Sequence, residues 1–246
     1  MIKNTFSKTI LLLSIILIFG IVGTVAAQAL VTVKVQSVYN ETIGNYSAEI
    51  QTPQISGMTD TAMQDSLNRE FSEYATELAK DFTAEALEIQ KEYPVDGPHK
   101  WVEYKLETVY DNASYLVFYV YEFSAVGSSN YVAQYFTIDK NTGKLVSLEE
   151  MTGNSKNYME QIENYIYKQM RDANNSGDMK YWIDDDAINQ NWGNDMDLVF
   201  SKIEDNRQYY LNEAGNLVIA FNKYEVGPGA IGSPQFEVPM DVFRDN

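Results

Sequence analysis

The sequence predicts an α+β fold: antiparallel sheet or sheets with two main helices packed on one side. Three observations lead there. Short apolar–polar alternations recur between clusters of Gly, Asn, Asp and Pro. Two longer stretches carry their apolar residues at spacings of three and four. These helical stretches stand between runs of strands instead of alternating with each one. With 45% hydrophobic and 13% aromatic residues, the chain has too much apolar content for a disordered acidic polymer and folds around a core.

In chain order, Leu30–Tyr39 alternates at Val31, Val33 and Val35, the period of a half-buried strand. A second extended stretch covers Ala48–Ile55, closed by Pro53 and Ser56-Gly57. Thr59 or Asp60 caps the helix that follows, because a side-chain oxygen there accepts a free backbone N–H of the first turn. Its stripe is Met63, Leu67, Phe71, Tyr74, Leu78, Phe82 and Ile89, and it stops before Pro94, which drives the preceding residue out of the helical region. Trp101–Tyr110, Tyr115–Ser124 and Tyr131–Ile138 read as three antiparallel strands. A tight turn over 139–144, with Gly143 supplying a positive φ, leads to a fourth strand at Leu145–Leu148. The second helix runs over Ser155–Asp172 with Tyr158, Ile162, Tyr165, Ile166 and Met170 on one face. An irregular stretch, 174–197, precedes a hairpin of Gln208–Leu211 and Leu217–Tyr224 and a last strand at Phe236–Phe243.

Composition removes whole classes of chemistry. The chain has no Cys and one His, so disulfides, Cys-bound zinc, iron–sulfur clusters, thiol nucleophiles and multi-histidine metal sites are all excluded. No cofactor or metal is expected. Asp184, Asp185, Asp186, Asn189, Asn191, Asn194, Asp195 and Asp197 offer oxygen ligands, but their spacing does not match a helix–loop–helix calcium loop, and a solvated acidic loop is the default reading. Gly143-Lys144 lacks the rest of a phosphate loop. His99, beside Pro98, reads as a surface turn residue. Acidic residues outnumber basic ones 35 to 18, a net charge of −17. That balance argues against a nucleic-acid partner, whose phosphates call for Lys and Arg clusters, and favours a cationic one.

Residues 1–29 hold Lys3 and Lys8 and no acid, followed by an uncharged run from Thr9 to Val25 and the small residues Ala27 and Ala29. This is the layout of a signal peptide or, uncut, of an N-terminal membrane anchor through residues 9–27; either way residues 30–246 are exported to the envelope or the exterior.

Two groups are candidates for binding. Tyr181, Trp182 and Trp192 lie in polar, irregular sequence, where an exposed binding surface and a satellite core are equally consistent. The second is the stretch Tyr224, Pro228, Gly229, Ala230, Gly232, Ser233 and Pro234 between two strands. Its glycines and prolines specify one fixed loop, which serves either as a binding feature or as a stiff connection.

FNKYEVGPGAIGSPQFEVP, residues 221–239, resembles the terminal motif of the RsiV-like C-terminal domain. IQTPQISGMTDTAMQDSLNREF, residues 50–71, resembles the domain that precedes it there and that also begins PdaC-type polysaccharide deacetylases. FYVYEFSAVGSSNYVAQYFTIDKNTGKLVSLEEM, residues 118–151, is similar to the central strands of the same family. The resemblance divides the exported region at about 30–98 and 99–246, and implies an extracellular α+β ectodomain of the kind that binds lysozyme in an anti-sigma factor. Only Met1–Lys8 precedes the apolar run and the chain ends at Asn246, so neither sigma sequestration nor deacetylation is expected. The expectation is a non-catalytic exported binding module for a basic protein such as lysozyme or for an envelope polysaccharide; the alternative is an envelope hydrolase with paired carboxylates.

Overall fold

A computed structural model describes residues 30–177, 181–183 and 208–244. Residues 1–29, Trp192 and the acidic stretch 184–197 lie outside the described residues. The class is α+β, as the patterning predicts. The elements are β1 (Thr32–Ile43), β2 (Tyr46–Ser56), α1 (Thr61–Glu92), β3 (Lys100–Asp111), β4 (Tyr115–Val126), β5 (Ser128–Asp139), β6 (Lys144–Leu145), α2 (Leu148–Met151), α3 (Tyr158–Ser176), β7 (Gln208–Leu211), β8 (Leu217–Ala220) and β9 (Gln235–Val238). Among the described residues they form a six-stranded sheet ordered β1 to β6 and a three-stranded sheet ordered β7-β8-β9.

Neighbours in both sheets are antiparallel except β2 and β3, which run parallel over Tyr46–Ile50 and Lys100–Tyr104. The reason is the connection. Short hairpins join antiparallel strands, whereas the helix between β2 and β3 carries the chain back along the sheet to restart in the same direction. Pro53 lies inside β2 and does not close it. It pairs with Val35 of β1 and sits beyond the last β2–β3 pair, at Ile50, so its missing N–H falls where that side of the strand has no partner.

Asp60 caps α1, accepting a hydrogen bond from the Met63 N–H at 3.0 Å. The buried stripe is Leu67, Phe71, Ala75, Ala79, Phe82 and Ala86, while Met63 and Tyr74 are exposed. Three alanines thus replace the large residues that periodicity selects. With no side chain beyond Cβ, they let the helix backbone lie close to the sheet, and Phe71 and Phe82 fill the space to either side. The core so formed includes Ile50, Leu116, Phe118 and Ile138.

The turn before β6 has Gly143 at φ +67°, as the sequence requires. The strand expected to reach Leu148 stops at Leu145. Ser147 instead opens α2 through a capping box: its hydroxyl accepts from the Glu150 N–H at 3.2 Å, and the Glu150 carboxylate accepts from the Ser147 N–H at 2.8 Å. The hairpin strand expected to reach Tyr224 ends at Ala220, and the last strand ends at Val238, where Pro239 leads into a 3₁₀ turn at Met240–Phe243.

α3 buries Ile162, Ile166 and Met170 against Leu217, Ile219, Phe236 and Val238, a second core over the small sheet. The two helices therefore serve different sheets. A third cluster, Tyr110 and Val117 with Tyr210 and Val218, joins the large sheet to the small one.

Candidate functional site

The loop between β8 and β9 begins as a clamped turn. The Asn222 backbone N–H donates to Glu225 Oε2 at 2.6 Å, its side-chain amide to Glu225 Oε1 at 3.2 Å, and the Glu225 N–H returns to the Asn222 carbonyl at 3.2 Å. Tyr224, inside this turn, has φ +71° and is 53% exposed. A non-glycine residue in the left-handed region costs about 1–3 kcal/mol and persists only where its surroundings impose it. Here Gly229 accommodates the ring: a Cβ on Gly229 would stand 2.5 Å from the Tyr224 ring carbons. Lys223 Nζ lies 5.1 Å from the centre of the same ring.

After Tyr224 the chain is fixed at each step. The Val226 carbonyl accepts from the Trp182 N–H at 2.9 Å, the Pro228 carbonyl from the Ile231 N–H at 3.0 Å, and the Pro234 carbonyl from the Phe221 N–H at 3.0 Å. Gly229–Ile231 is a single 3₁₀ turn, and Gly232 ends it at φ +69°. The loop brings Tyr224, Pro228, Gly229, Ala230, Gly232, Ser233 and Pro234 together, with Tyr224 and Ala230 exposed and Gly229 beneath the tyrosine.

Tyr181 and Trp182 are not an exposed patch. They are 7% and 8% exposed. Tyr181 packs against Phe236 at 5.4 Å, and the Asn174 side chain bonds both its N–H, at 2.7 Å, and its carbonyl, at 2.9 Å. Burial raises the Tyr181 phenol. Tyr181 shares its core with Val226 and Phe236, and the Trp182 N–H bonds the Val226 carbonyl, so these aromatics support the loop from the core side. Trp192 lies outside the described residues.

The loop also docks on the large sheet. The Lys223 ammonium donates to the Ser129 carbonyl at 2.7 Å and Asn222 Oδ1 accepts from the Ala133 N–H at 3.4 Å, while from β7 Gln208 Oε1 accepts from the Tyr135 N–H at 3.1 Å. These bonds cover the outer edge of β5, which β6 pairs only at Ile138 and Asp139.

A second feature went unseen in the sequence. A cavity of about 260 Å³ lies between α1 and the face of β3, β4 and β5, with Phe71, Tyr104 and Val120 as its floor and Glu70, Tyr74 and Glu122 at its walls. The Tyr74 hydroxyl donates to Glu122, and the Tyr74 and Tyr104 rings meet at 5.0 Å. Burial, then the Glu122 carboxylate, push the Tyr74 phenol well above its ordinary range. Strand register alone places Tyr104 opposite Glu122. Only the helix brings Glu70 and Tyr74 to them.

Residues 40–130 match the family model described as Deacetylase PdaC, and residues 149–241 match DUF3298, a protein family of unknown function. The chain is similar to a PdaC domain over its first match and to a DUF3298 domain over its second. It is 26% identical over 200 residues to the anti-sigma-V factor RsiV of Bacillus subtilis (strain 168), an alignment covering 81% of this chain and 65% of that protein. The chain thus spans under two thirds of that relative's length. In fold it is similar to crystal structures of DUF3298-family proteins from Bacteroides fragilis NCTC 9343 and Pseudomonas aeruginosa PAO1. The first has a TM-score of 0.56 and 15% identity, covering 88% of this chain and 93% of that one. The second has a TM-score of 0.50 and 9% identity, covering 89% and 94%. The Tyr224 loop falls inside the DUF3298 match, and Glu70, Tyr74, Tyr104 and Glu122 inside the PdaC match. Among the described residues no three His, Asp or Glu side chains are grouped to hold a metal ion.

Proposed function

We propose that this protein is a non-catalytic exported binding or sensor module whose ligand is a cationic cell-wall hydrolase of the lysozyme kind, held through the loop from Tyr224 to Pro234. The observation that carries the reading is Tyr224: an exposed aromatic ring at a strained backbone position, seated on Gly229 and fixed by hydrogen bonds on both sides. An anchor already held in one geometry loses little entropy on binding, and tyrosine is enriched at the energetic centres of interfaces. The net charge of −17 steers a basic partner toward the acidic surface. The likeness to an anti-sigma factor supports a protein partner. Export follows from the segment 1–29, cleaved or retained.

Titration of the protein with hen lysozyme and with an equally basic unrelated protein, at low and physiological salt, tests it. Binding of lysozyme alone that persists at physiological salt, and that Tyr224→Ala weakens, is expected. Equal binding of both proteins that disappears with salt leaves only screened charge attraction and moves the ligand to an envelope polysaccharide.

One observation favours the opposed reading of an envelope hydrolase: Glu70 and Glu122 line the same cavity. Release of soluble fragments from purified cell walls, abolished by Glu122→Gln, would establish it in place of the binding module. No release is expected.

A further inference from the structure

α1 lies mainly over β1 and β2, and its buried stripe leaves the far half of the sheet face partly uncovered. Val132 on β5 is 41% exposed, and Asn130 and Gln134 beside it are exposed as well. The cavity opens at this step, where the helix wall ends and the sheet continues.

Its chemistry is selective. The floor is apolar and aromatic, and the two ionisable residues at its rim, apart from the phenols, are the acids Glu70 and Glu122. Among the described residues no Lys or Arg forms an ion pair with either of them. Burial first, with Tyr74, Glu70 and Glu122 nearby, pushes the Tyr104 phenol above its ordinary range. At about 260 Å³, the space is smaller than the roughly 300–1,000 Å³ of pockets that enclose a whole small molecule, and suits one long side chain.

We propose that this cavity receives an arginine side chain presented by a basic protein partner. The guanidinium is a planar cation, weakly hydrated, that stacks on aromatic faces and takes carboxylates on its edges. Tyr74 and Tyr104 supply the faces and Glu70 and Glu122 the carboxylates. The position adds a second argument. Asn130, Val132 and Gln134 line the cavity, and the same strand receives Lys223 at Ser129 and Asn222 at Ala133. One partner can therefore meet the Tyr224 loop and the cavity together, and two linked contacts reinforce each other. The proposal takes from the function proposed above only the source of the arginine.

The test uses the protein with Nα-acetyl-arginine methylamide and, as a neutral isostere, Nα-acetyl-citrulline methylamide, followed by NMR on the tyrosine ring signals. Saturable shifts of Tyr74 and Tyr104 with the arginine compound and none with citrulline are expected. In Glu70→Gln/Glu122→Gln the apparent affinity falls about tenfold or more, the loss that follows from removing charge-assisted hydrogen bonds. The amide oxygen introduced by Glu122→Gln still accepts the Tyr74 hydroxyl, and an unchanged thermal midpoint verifies the fold. Equal shifts with both compounds, no shift of either ring, or full affinity in the double variant overturns the proposal. Lysozyme binding that survives such a result would rest on the loop alone, whereas an arginine-specific cavity in a protein that ignores lysozyme would overturn the partner and keep the cavity.

Discussion

At Tyr224 and Gly229, backbone strain and side-chain packing are coupled, and separate substitutions can part them. Gly229→Ala would drive a methyl group into the Tyr224 ring. The ring is the exposed end of a side chain and can swing away, so the expected outcome is a thermal midpoint close to that of the unaltered protein together with a clear loss of partner affinity. A calorimetric scan and the lysozyme titration, run on the same sample, read both. Tyr224→Gly removes the anchor and relieves the left-handed strain; stability should hold or rise by up to about 1 kcal/mol, while binding is lost. A fall in stability would mean that the ring is part of the fold. Lys105 shows the electrostatics at the same scale. It lies 2.7 Å from Glu49 and 3.0 Å from Glu103. Burial alone would raise the Glu103 carboxyl, but Lys105 overcomes it and holds the group below its ordinary range. Burial would lower the Lys105 ammonium, and the two carboxylates raise it instead. A lowered carboxyl contributes stability above the ordinary carboxylate range and loses it as the pH falls through its folded value. A raised ammonium contributes below the ordinary lysine range and loses it as the pH rises. The pair is thus fully formed at neutral pH. Lys105→Met should lower stability at pH 7 by about 1 kcal/mol or less, and melting curves from pH 7 to 3 should show that deficit shrinking in acid.

At the scale of elements, close approach explains what periodicity does not. α1 presents Ala75, Ala79 and Ala86 to the sheet, so the separation between helix and strand is set by methyl groups. Ala79→Leu has no room to enter and should cost about 1–3 kcal/mol by overpacking, measurable as a lower denaturant midpoint with an unchanged slope. Leu at an exposed position of the same helix, such as Glu77→Leu, should cost little. α2 depends on its cap. Ser147→Ala should cost about 1 kcal/mol, since the Glu150 N–H of a four-residue helix loses its acceptor. β5 offers a third case: side chains of Asn222 and Gln208 and the ammonium of Lys223 bond its open edge. Where a strand edge is covered by side chains of another unit, the edge is protected and the loop carrying them is oriented at the same time.

For the whole molecule, the two sheets have separate cores and meet through Tyr110, Val117, Tyr210 and Val218. Burial first, with nearby Tyr115 and Glu213, pushes the Tyr110 phenol up to about 12, so the joint stays uncharged throughout the physiological range. The excess of acid over base is a property of the molecule at the same scale. It predicts association with a basic partner whose on-rate falls steeply with ionic strength while the off-rate changes little. Stopped-flow measurements at two salt concentrations would separate the two rates, and an on-rate that does not change with salt would mean that the charge excess does not steer the partner.

The α+β class, the Asp60 cap, the Gly143 turn, the α3 face of Ile162, Ile166 and Met170 and the hairpin of β7 and β8 were all legible in the sequence, because each depends on residues within a few positions of one another. Ser147 and Glu150 also carried a readable signal, the spacing of a capping box, ahead of a helix too short for periodicity to mark. The parallel pairing of β2 with β3, the choice of alanines for the buried face of α1, the burial of Tyr181 and Trp182 and the cavity of Glu70, Tyr74, Tyr104 and Glu122 were decided by tertiary structure alone. Each depends on which distant segments come into contact, and periodicity reports only the direction in which a side chain points along its own element. A single chain can state that a tyrosine faces inward or outward; whether it meets a carboxylate there is settled by the element packed against it.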